Sequence, residues 1–313
     1  MTPAFACVFP GQGSQKVGML AVIGSEKAIV RLTFEEASTA LGYDLWELAQ
    51  AGPQDRQNLT ECTQPLILAA SVALWRVWCE AGGPRPTLMS GHSLGEFSAL
   101  VCAEAIDFAD AVCLVRNRGS YMQQAVPVGE GAMAAVLGLE DHLVGAACEE
   151  AANDEVVQAV NLNAPGQVVI AGHAAAVERA IAACKARGAK RAMPLPVSAP
   201  FHTSLMKPAA ERLAADLGNM KIRSPSIPVV HNVHARPESE PEHIRSLLVK
   251  QIHSPVLWVD CVQYMRGKGV ARIAEIGPGK VLSGLCKRID PELQCFGTED
   301  PSDLASALVA VPA

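Results

Sequence analysis

The sequence lacks long basic runs, internal repeats and low-complexity tracts. Its net charge is −6 over 313 residues, of which 19% are charged and 50% are hydrophobic. A nucleic-acid-binding surface needs clustered lysine and arginine to meet the phosphates, so we expect no nucleic acid among the partners. The length and the apolar content predict a globular chain with one large domain or two smaller ones.

Paired cysteines are also missing. Ten cysteines are scattered along the chain, none forms a C-x-x-C pair, and several stand among Ala, Val and Leu in helix-like runs. This pattern favours buried free thiols in a reducing compartment over disulfides or a metal site. We therefore expect a cytoplasmic protein without a bound metal.

Segments that would direct the chain to a membrane are not evident. The first residues, MTPAFACVFPGQGSQ, lack a basic n-region, and their apolar run is short for a secretory signal. No apolar segment looks long and uninterrupted enough to cross a bilayer, so we expect no membrane contact. Neither of the two glycine turns, at 10–15 and at 276–279, matches a dinucleotide G-x-G-x-x-G or a Walker loop, so no nucleotide cofactor is indicated.

Strand-like and helix-like runs alternate through the first 125 residues. Residues 4–9 and the run TLMS read as strands, and a helix is expected from an N-cap at Thr63 to just before Gly82. Asp107 is expected to cap a helix that ends near Gln124. With further strands after 227 and at 271–277, and a closing helix after the turn GPGK, the pattern predicts an α/β core with a largely parallel sheet.

The middle of the chain has a different order of elements. Runs from residue 131 to about 198 read as β-α-β-β-α-β, the order of a ferredoxin-like subdomain. Because the α/β pattern resumes near residue 200, this unit is interpreted as an insertion. The predicted division is a discontinuous core, residues 1–125 and 199–313, around a small subdomain, residues 126–198.

The stretch Gly91-His92-Ser93-Leu94-Gly95 matches the G-x-S-x-G nucleophile elbow. A serine in a tight strand-to-helix turn has a strained backbone, and side chains on the flanking positions would clash. The same turn points the Leu94 amide, at a helix N-terminus, toward an oxyanion on an attacked carbonyl. The string alone can arise by chance, but here a strand precedes it and a helical run follows it, which favours a nucleophile.

A serine hydroxyl needs a base, and position favours His202, which follows the strand that returns from the insertion. His253 is a weaker rival, and the His92 side chain should point away from that of Ser93. Two other histidines, His142 and His173, are expected at the surface of the small subdomain. The spacing of His231 and His234 lacks the carboxylates or cysteines that a metal site would need.

Arg118 falls on the apolar stripe of its helix, between Leu114 and Met122, whereas Arg116 lies off it. An inward arginine must be paired, because an unpaired buried charge is too costly. Its partner is either an internal carboxylate or a carboxylate that arrives with a substrate. Geometry alone leaves the two alternatives even. The glycine turn at Gln12 is a candidate for a second oxyanion-binding amide.

Together these residues resemble the malonyl-CoA:acyl carrier protein transacylase family. The motifs that carry the resemblance are FPGQGSQ at 9–15, GHSLGE at 91–96, the arginine helix ending at 118–119, NAPGQVVIAG at 163–172, the segment at 198–206, Gln251, and EIGPGKVL at 275–282. Their order and spacing cover almost the whole chain. The resemblance implies a hydrolase-like α/β core with a ferredoxin-like (βαββαβ) insertion.

The resemblance also implies a role for each site residue. Ser93 would be the nucleophile and His202 its base, with His202 oriented by the backbone carbonyl of Gln251. The amides of Gln12 and Leu94 would form the oxyanion hole, and Arg118 would hold the malonate carboxylate. Asn232 matches a position near the site and is assigned no role. Phe201, before the histidine, resembles the malonyl-selective form.

The reaction so implied moves a malonyl group from malonyl-CoA to the phosphopantetheine thiol of acyl carrier protein for fatty acid synthesis, with no cofactor and in a monomer. A thioesterase with the same elbow and a docking module with a vestigial site are the rival readings. Since carrier proteins are acidic, one candidate docking patch is Lys185, Arg187, Lys190 and Arg191. A solvated helix end is the favoured explanation of these four residues.

Overall fold

The structure is a computed structural model, and it describes residues 4–197 and 199–311. The predicted boundary at 198 and the two chain ends lie outside the described residues. Within the described ranges there are nine strands: β1 (Phe5–Phe9), β2 (Leu88–Gly91), β3 (Gly131–Leu137), β4 (Val157–Ala164), β5 (Gln167–His173), β6 (Arg191–Pro194), β7 (Val229–Val230), β8 (Arg272–Glu275) and β9 (Gln294–Phe296).

Fourteen α-helices and one 3₁₀ turn, at Ser204–Met206, lie in the same ranges. The helices are α1 (Ala21–Glu26), α2 (Ala28–Leu41), α3 (Leu45–Ala51), α4 (Gln54–Gln57), α5 (Thr60–Glu80), α6 (Leu94–Cys102), α7 (Phe108–Gln124), α8 (Asp141–Ala152), α9 (Ala174–Ala186), α10 (Lys207–Gly218), α11 (Pro241–Gln251), α12 (Trp258–Gly267), α13 (Val281–Ile289) and α14 (Pro301–Ala310).

The core sheet has five parallel strands in the order β7-β2-β1-β8-β9. Its central strand, β1, is buried along its whole length. Phe5, Cys7 and Phe9 face one apolar cluster, and Ala6 and Val8 face another on the opposite side. A parallel sheet with both faces covered needs such an unbroken apolar strand, which is why FACVF contains no polar residue.

The inserted unit confirms the predicted order of elements, β3-α8-β4-β5-α9-β6. Its four strands form an antiparallel sheet in the order β4-β5-β3-β6. One face packs against α8 and α9, while Met133, Val160 and Val169 on the other face join the main core. Two hydrogen bonds, Leu162 N to Val256 O at 3.0 Å and Val256 N to Val160 O at 2.8 Å, join its edge strand to the core.

Several boundaries differ from those the sequence predicted. Helix α5 begins at Thr60 rather than after Thr63, because the Thr63 hydroxyl donates to the carbonyls of Gln57 and Leu59 instead of capping the helix. Asp107 does occupy the N-cap of α7, yet its carboxylate binds the Arg223 guanidinium and no helix amide. The helix after GPGK does not close the chain, since β9 and α14 follow it.

Helix α5 also corrects the expectation that no segment could cross a bilayer. In the described part of the chain it is the one helix of sufficient length and apolarity, with a mean hydropathy of 1.2 over its best window. However, 83% of that window is buried inside the protein. The burial is what a core helix packed between α2, α6 and α7 requires.

Candidate active site

Ser93 occupies a strained turn between β2 and α6. Its backbone φ is 51° and its ψ is −104°, outside the regions that a residue with a side chain normally adopts. A Cβ atom on Gly91 would lie 1.9 Å from the carbonyl carbon of Gly95, and one on Gly95 would lie 2.0 Å from the Phe9 carbonyl oxygen. Both glycines of the motif are therefore required by close backbone packing.

The two other glycine turns pack against this elbow. A Cβ on Gly11 would lie 2.6 Å from the His92 carbonyl oxygen, and one on Gly277 would lie 2.4 Å from the ring of Pro10. The turn after β1 therefore packs against the elbow. The turn after β8 packs in turn against the one after β1. Parallel strands place their carboxyl ends at one edge of the sheet, so these three turns meet there.

The structure brings Ser93 and His202 into hydrogen-bond contact, with 2.8 Å between Ser93 Oγ and His202 Nε2. His202 Nδ1 donates to the carbonyl oxygen of Gln251 at 2.9 Å. Burial, with a further contribution from the positive charge of Arg118, lowers the pKa of His202 to about 3. The imidazole is therefore neutral near pH 7, and its unprotonated Nε2 can accept a proton from the serine.

Arg118 points inward from α7 with 1% of its surface exposed. Its guanidinium donates from Nη2 to Ser93 Oγ at 3.1 Å and to Gln251 Oε1 at 2.9 Å, and from Nη1 to Gln64 Oε1 at 2.8 Å. Its Nε has no hydrogen-bond partner among the residues described. Burial lowers the pKa of Arg118 to about 10, opposed by the negative charge of Glu96, so the group stays cationic near pH 7.

An internal salt bridge, one of the two alternatives left open by the sequence, is not formed within the described part of the chain. The partners of the guanidinium there are the neutral side chains of Ser93, Gln64 and Gln251. A buried cation with neutral partners and a free N–H is suited to receive an external carboxylate.

A buried polar network under the elbow was not anticipated from the sequence. Glu96, in the first turn of α6, is fully buried and accepts hydrogen bonds from His231 Nδ1 at 2.8 Å, the Asn232 amide at 2.9 Å and Gln251 Nε2 at 3.0 Å. Asn232 in turn accepts from the Ser93 amide and donates to the Gly91 carbonyl, both at 2.7 Å. The sequence feature that could have indicated this network is Glu96 itself, a charged residue three positions after Ser93 in an otherwise apolar helix, since a buried charge needs partners.

A cleft of about 390 Å³ opens between the core and the small subdomain, with Ser93, His202 and Arg118 in its wall. Gln12, Leu94 and Phe201 also line it. Leu94 is the first residue of α6, where the backbone amides have no acceptor within the helix. The cleft can therefore place a substrate carbonyl group between the Ser93 hydroxyl and the backbone at Gln12 and Leu94.

The remaining histidines lie elsewhere. His92 shares a hydrogen bond of 2.8 Å with Asn163 of the small subdomain, and burial lowers its pKa. His142 is exposed, whereas His173 is half-buried and accepts from the Val156 amide. His253 has no contact with Ser93 among the described bonds. No group of His, Cys, Asp and Glu in residues 4–197 and 199–311 has the arrangement of a metal site.

Comparison with known proteins agrees with this geometry. Residues 6–288 match the acyl transferase domain family. The chain is 59% identical over 304 residues to the malonyl CoA-acyl carrier protein transacylase of Escherichia coli O157:H7, covering 97% of this chain and 98% of that one. It is 42% identical to the enzyme of the same name from Bacillus subtilis strain 168, covering 97% and 96% of the two chains.

Solved structures agree as well. The malonyl CoA-acyl carrier protein transacylase from Coxiella burnetii superposes with a TM-score of 0.99 at 48% identity and covers 100% of this chain and 99% of its own. A malonyl-transacylase solved in complex with a holo type II PKS acyl-carrier protein has a TM-score of 0.97 at 53% identity, covering 98% and 99%. The chain therefore belongs to the acyl transferase domain family and, within it, to the malonyl CoA-acyl carrier protein transacylases.

Proposed function

We propose that this protein transfers a malonyl group from malonyl-CoA to the phosphopantetheine thiol of acyl carrier protein, through a malonyl ester of Ser93. The observation that carries the proposal is the meeting of three groups at one oxygen. Ser93 Oγ lies 2.8 Å from the neutral imidazole of His202 and 3.1 Å from the Arg118 guanidinium. A nucleophile, a base and a carboxylate-binding cation are thus within reach of one substrate.

In the first half-reaction Ser93 Oγ attacks the thioester carbonyl of malonyl-CoA while its proton passes to His202 Nε2. The carbonyl of Gln251, bound to His202 Nδ1, holds the imidazole in the tautomer that this transfer needs. The amides of Gln12 and Leu94 stabilise the tetrahedral oxyanion. When that intermediate collapses, coenzyme A leaves with the proton from His202, and a malonyl ester remains on Ser93.

In the second half-reaction the carrier-protein thiol attacks the ester carbonyl. His202 takes the thiol proton and returns it to Ser93 Oγ, so the serine is regenerated and malonyl-carrier protein leaves. Arg118 grips the free carboxylate throughout, which favours malonyl over acetyl groups and fixes the ester for attack. No cofactor is needed, because the malonyl group arrives already activated as a thioester and coenzyme A is part of a substrate.

The rival functions find less support. Relatives at 59% and 42% identity are named transacylases rather than hydrolases, so a thioesterase is not favoured. A docking module with a vestigial site would have no need for the Ser93–His202 contact or for a buried Arg118.

We further propose that the protein acts as a cytoplasmic monomer, with a core of residues 1–125 and 199–313 around a small subdomain of residues 126–198.

Three residues of the candidate docking patch for the carrier protein are exposed: Lys185, Lys190 and Arg191. The fourth, Arg187, is bound to Glu150. Alanine at all four positions should raise the KM for carrier protein but not that for malonyl-CoA. An unchanged KM for carrier protein would remove the patch.

The decisive experiment is mass spectrometry of the intact protein after mixing with malonyl-CoA or acetyl-CoA. Wild type should gain one malonyl group, lose it when phosphopantetheinylated carrier protein is added, and take up little acetyl. Ser93→Ala should gain no group, and Arg118→Ala should lose the preference for malonyl. An adduct on Ser93→Ala, or release of free malonate at the same rate without carrier protein, would overturn the proposed transfer.

A further inference from the structure

A buried arginine in this cleft has to meet two conflicting demands. Its charge needs compensation inside the protein, because an isolated buried cation is strongly disfavoured. A carboxylate placed directly on the guanidinium would provide it, but the same carboxylate would occupy the donors that a substrate carboxylate needs. In the structure Arg118 avoids this conflict, because its contacts are with amide and hydroxyl oxygens.

The compensating negative charge is on Glu96, which is joined to Arg118 through the side chain of Gln251. Gln251 accepts from Arg118 Nη2 through its Oε1 at 2.9 Å and donates through its Nε2 to Glu96 Oε2 at 3.0 Å. One carboxamide therefore joins the buried cation to the buried anion. The carboxylate also determines how that amide is oriented. Because Glu96 accepts only, the NH₂ end of Gln251 must face it, and the oxygen end must face Arg118.

The same glutamine reaches the rest of the machinery. Its Nε2 also donates to the Ser93 carbonyl at 3.0 Å, and its own carbonyl oxygen accepts from His202 Nδ1 at 2.9 Å. Glu96 is itself held by His231 and by the Asn232 amide, and the side chains of Glu96, Gln251, His231 and Asn232 are all fully buried. A network sealed from water in this way has no solvent to substitute for a lost partner.

From this arrangement we propose that Glu96 is a positioning residue for substrate selection: it acts through Gln251 to hold Arg118 charged and oriented while leaving the guanidinium open to the malonyl carboxylate. The inference rests on the proposed function, since it concerns the same cleft. Glu96 touches no substrate, so its removal should affect the handling of the carboxylate more than the reactivity of the serine.

The test removes, one at a time, the two groups that compensate the Arg118 charge: the Glu96 carboxylate and the Gln251 carboxamide. Glu96→Gln removes the charge, and Gln251→Met removes the amide while keeping the backbone carbonyl that binds His202. In each folded variant the ratio of Ser93 acylation rates with malonyl-CoA and acetyl-CoA should fall by about tenfold or more, since hydrogen bonds to a charged group are lost. In Glu96→Gln, acylation by p-nitrophenyl acetate, which carries no carboxylate, should change by less than about threefold. Glu96→Asp should recover part of the ratio.

Two controls separate this role from a purely structural one. Glu275 is an equally buried carboxylate that binds the Leu282 and Ser283 amides outside the site, so Glu275→Gln should destabilise the protein but leave the ratio unchanged. In an Arg118→Ala background, Glu96→Gln should have no further effect on the ratio, because Glu96 influences the ratio only through Arg118. A malonyl-to-acetyl ratio that stays at the wild-type value in folded Glu96→Gln or Gln251→Met would overturn the inference. If wild type itself fails to form a malonyl-Ser93 adduct, it is instead the proposed function that fails.

Discussion

Asn232 Oδ1 accepts the backbone amide of Ser93 at 2.7 Å, and the Nδ2 of the same side chain donates to the Gly91 carbonyl, also at 2.7 Å. One buried carboxamide thus bonds to the backbone on both sides of His92. Because Ser93 has a positive φ of 51°, the turn stores strain that its surroundings must offset. These two hydrogen bonds restrain the elbow directly, since both are made to its own backbone.

Replacing this side chain should therefore destabilise the protein and slow acylation together. Asn232→Ala leaves a buried amide and a buried carbonyl unpaired, so we expect a loss of about 2–4 kcal/mol in the free energy of unfolding. The Ser93 acylation rate with malonyl-CoA should also fall. Urea denaturation and rapid-quench acylation measure the two effects. The control Asn219→Ala, at an exposed helix end, should change neither. Normal acylation in Asn232→Ala would show that the elbow keeps its shape unaided.

The glycines of the elbow should tolerate no side chain. A methyl group on Gly95 would lie 2.0 Å from the Phe9 carbonyl oxygen, and neither the strand nor the helix can retreat. We expect Gly95→Ala to cost several kcal/mol, about 3 or more, or to prevent folding. Gly145 is the matched control, because it lies inside α8 and a methyl group there would have no described atom within 4 Å. Gly145→Ala should stabilise the protein by about 0.5–1 kcal/mol. Equal denaturation midpoints for the two variants would contradict this account.

The elbow was predictable because its determinants are local. Glycines two residues either side of Ser93, a strand before them and a helix after them are all visible in a stretch of about fifteen residues. The inward orientation of Arg118 was predictable for the same reason, since helical periodicity places it on the stripe of Leu114 and Met122, both of which are buried.

The network beneath the elbow was not predictable in this way. The bonds from Glu96 reach His231 and Gln251, which are 135 and 155 residues away along the chain. Which polar groups meet after folding depends on tertiary packing, and no local pattern encodes it. The helices between residues 21 and 57 were missed for a different reason. Three of the four have only four to seven residues, too few for a helical period to stand out.

The low pKa of His202 predicts an unusual acid limit for acylation. Burial and the Arg118 charge lower this pKa to about 3, so the imidazole stays neutral and able to act as a base well below its ordinary titration range. The kcat/KM for malonyl-CoA should therefore hold nearly constant from pH 7 down to about pH 5, whereas a histidine with a pKa of about 6.5 would lose most of its base form. A pH profile tests this, with exposed His142→Gln as a variant that should leave it unchanged. An acid limb centred near pH 6.5 would contradict it.

The same shift has a consequence for stability. Between about pH 6.5 and pH 3 the unfolded chain binds a proton at residue 202 that the folded protein excludes, so the free energy of unfolding should fall as the pH falls. The expected contribution is about 1.4 kcal/mol per pH unit within that window. Urea denaturation of wild type and His202→Gln at pH 7 and pH 5 isolates it. Wild type should lose more stability than the variant, and an equal loss in both would show that His202 is protonated in the folded state.

Lysine should not substitute for Arg118, although it preserves the charge. The guanidinium reaches Gln64 with one nitrogen and both Gln251 and Ser93 with another, a fork that a single ammonium cannot reproduce. We expect Arg118→Lys to lower kcat/KM for malonyl-CoA on the order of a hundredfold, from the loss of charged hydrogen bonds. Acylation by acetyl-CoA should fall far less, because acetyl has no carboxylate to bind. Arg116→Lys is the matched control on the same helix, where the guanidinium donates to the neighbouring Asn117. If Arg118→Lys retained kcat/KM within about threefold of wild type, the bidentate guanidinium would not be required, since a point charge at this position would then suffice to bind the malonyl carboxylate.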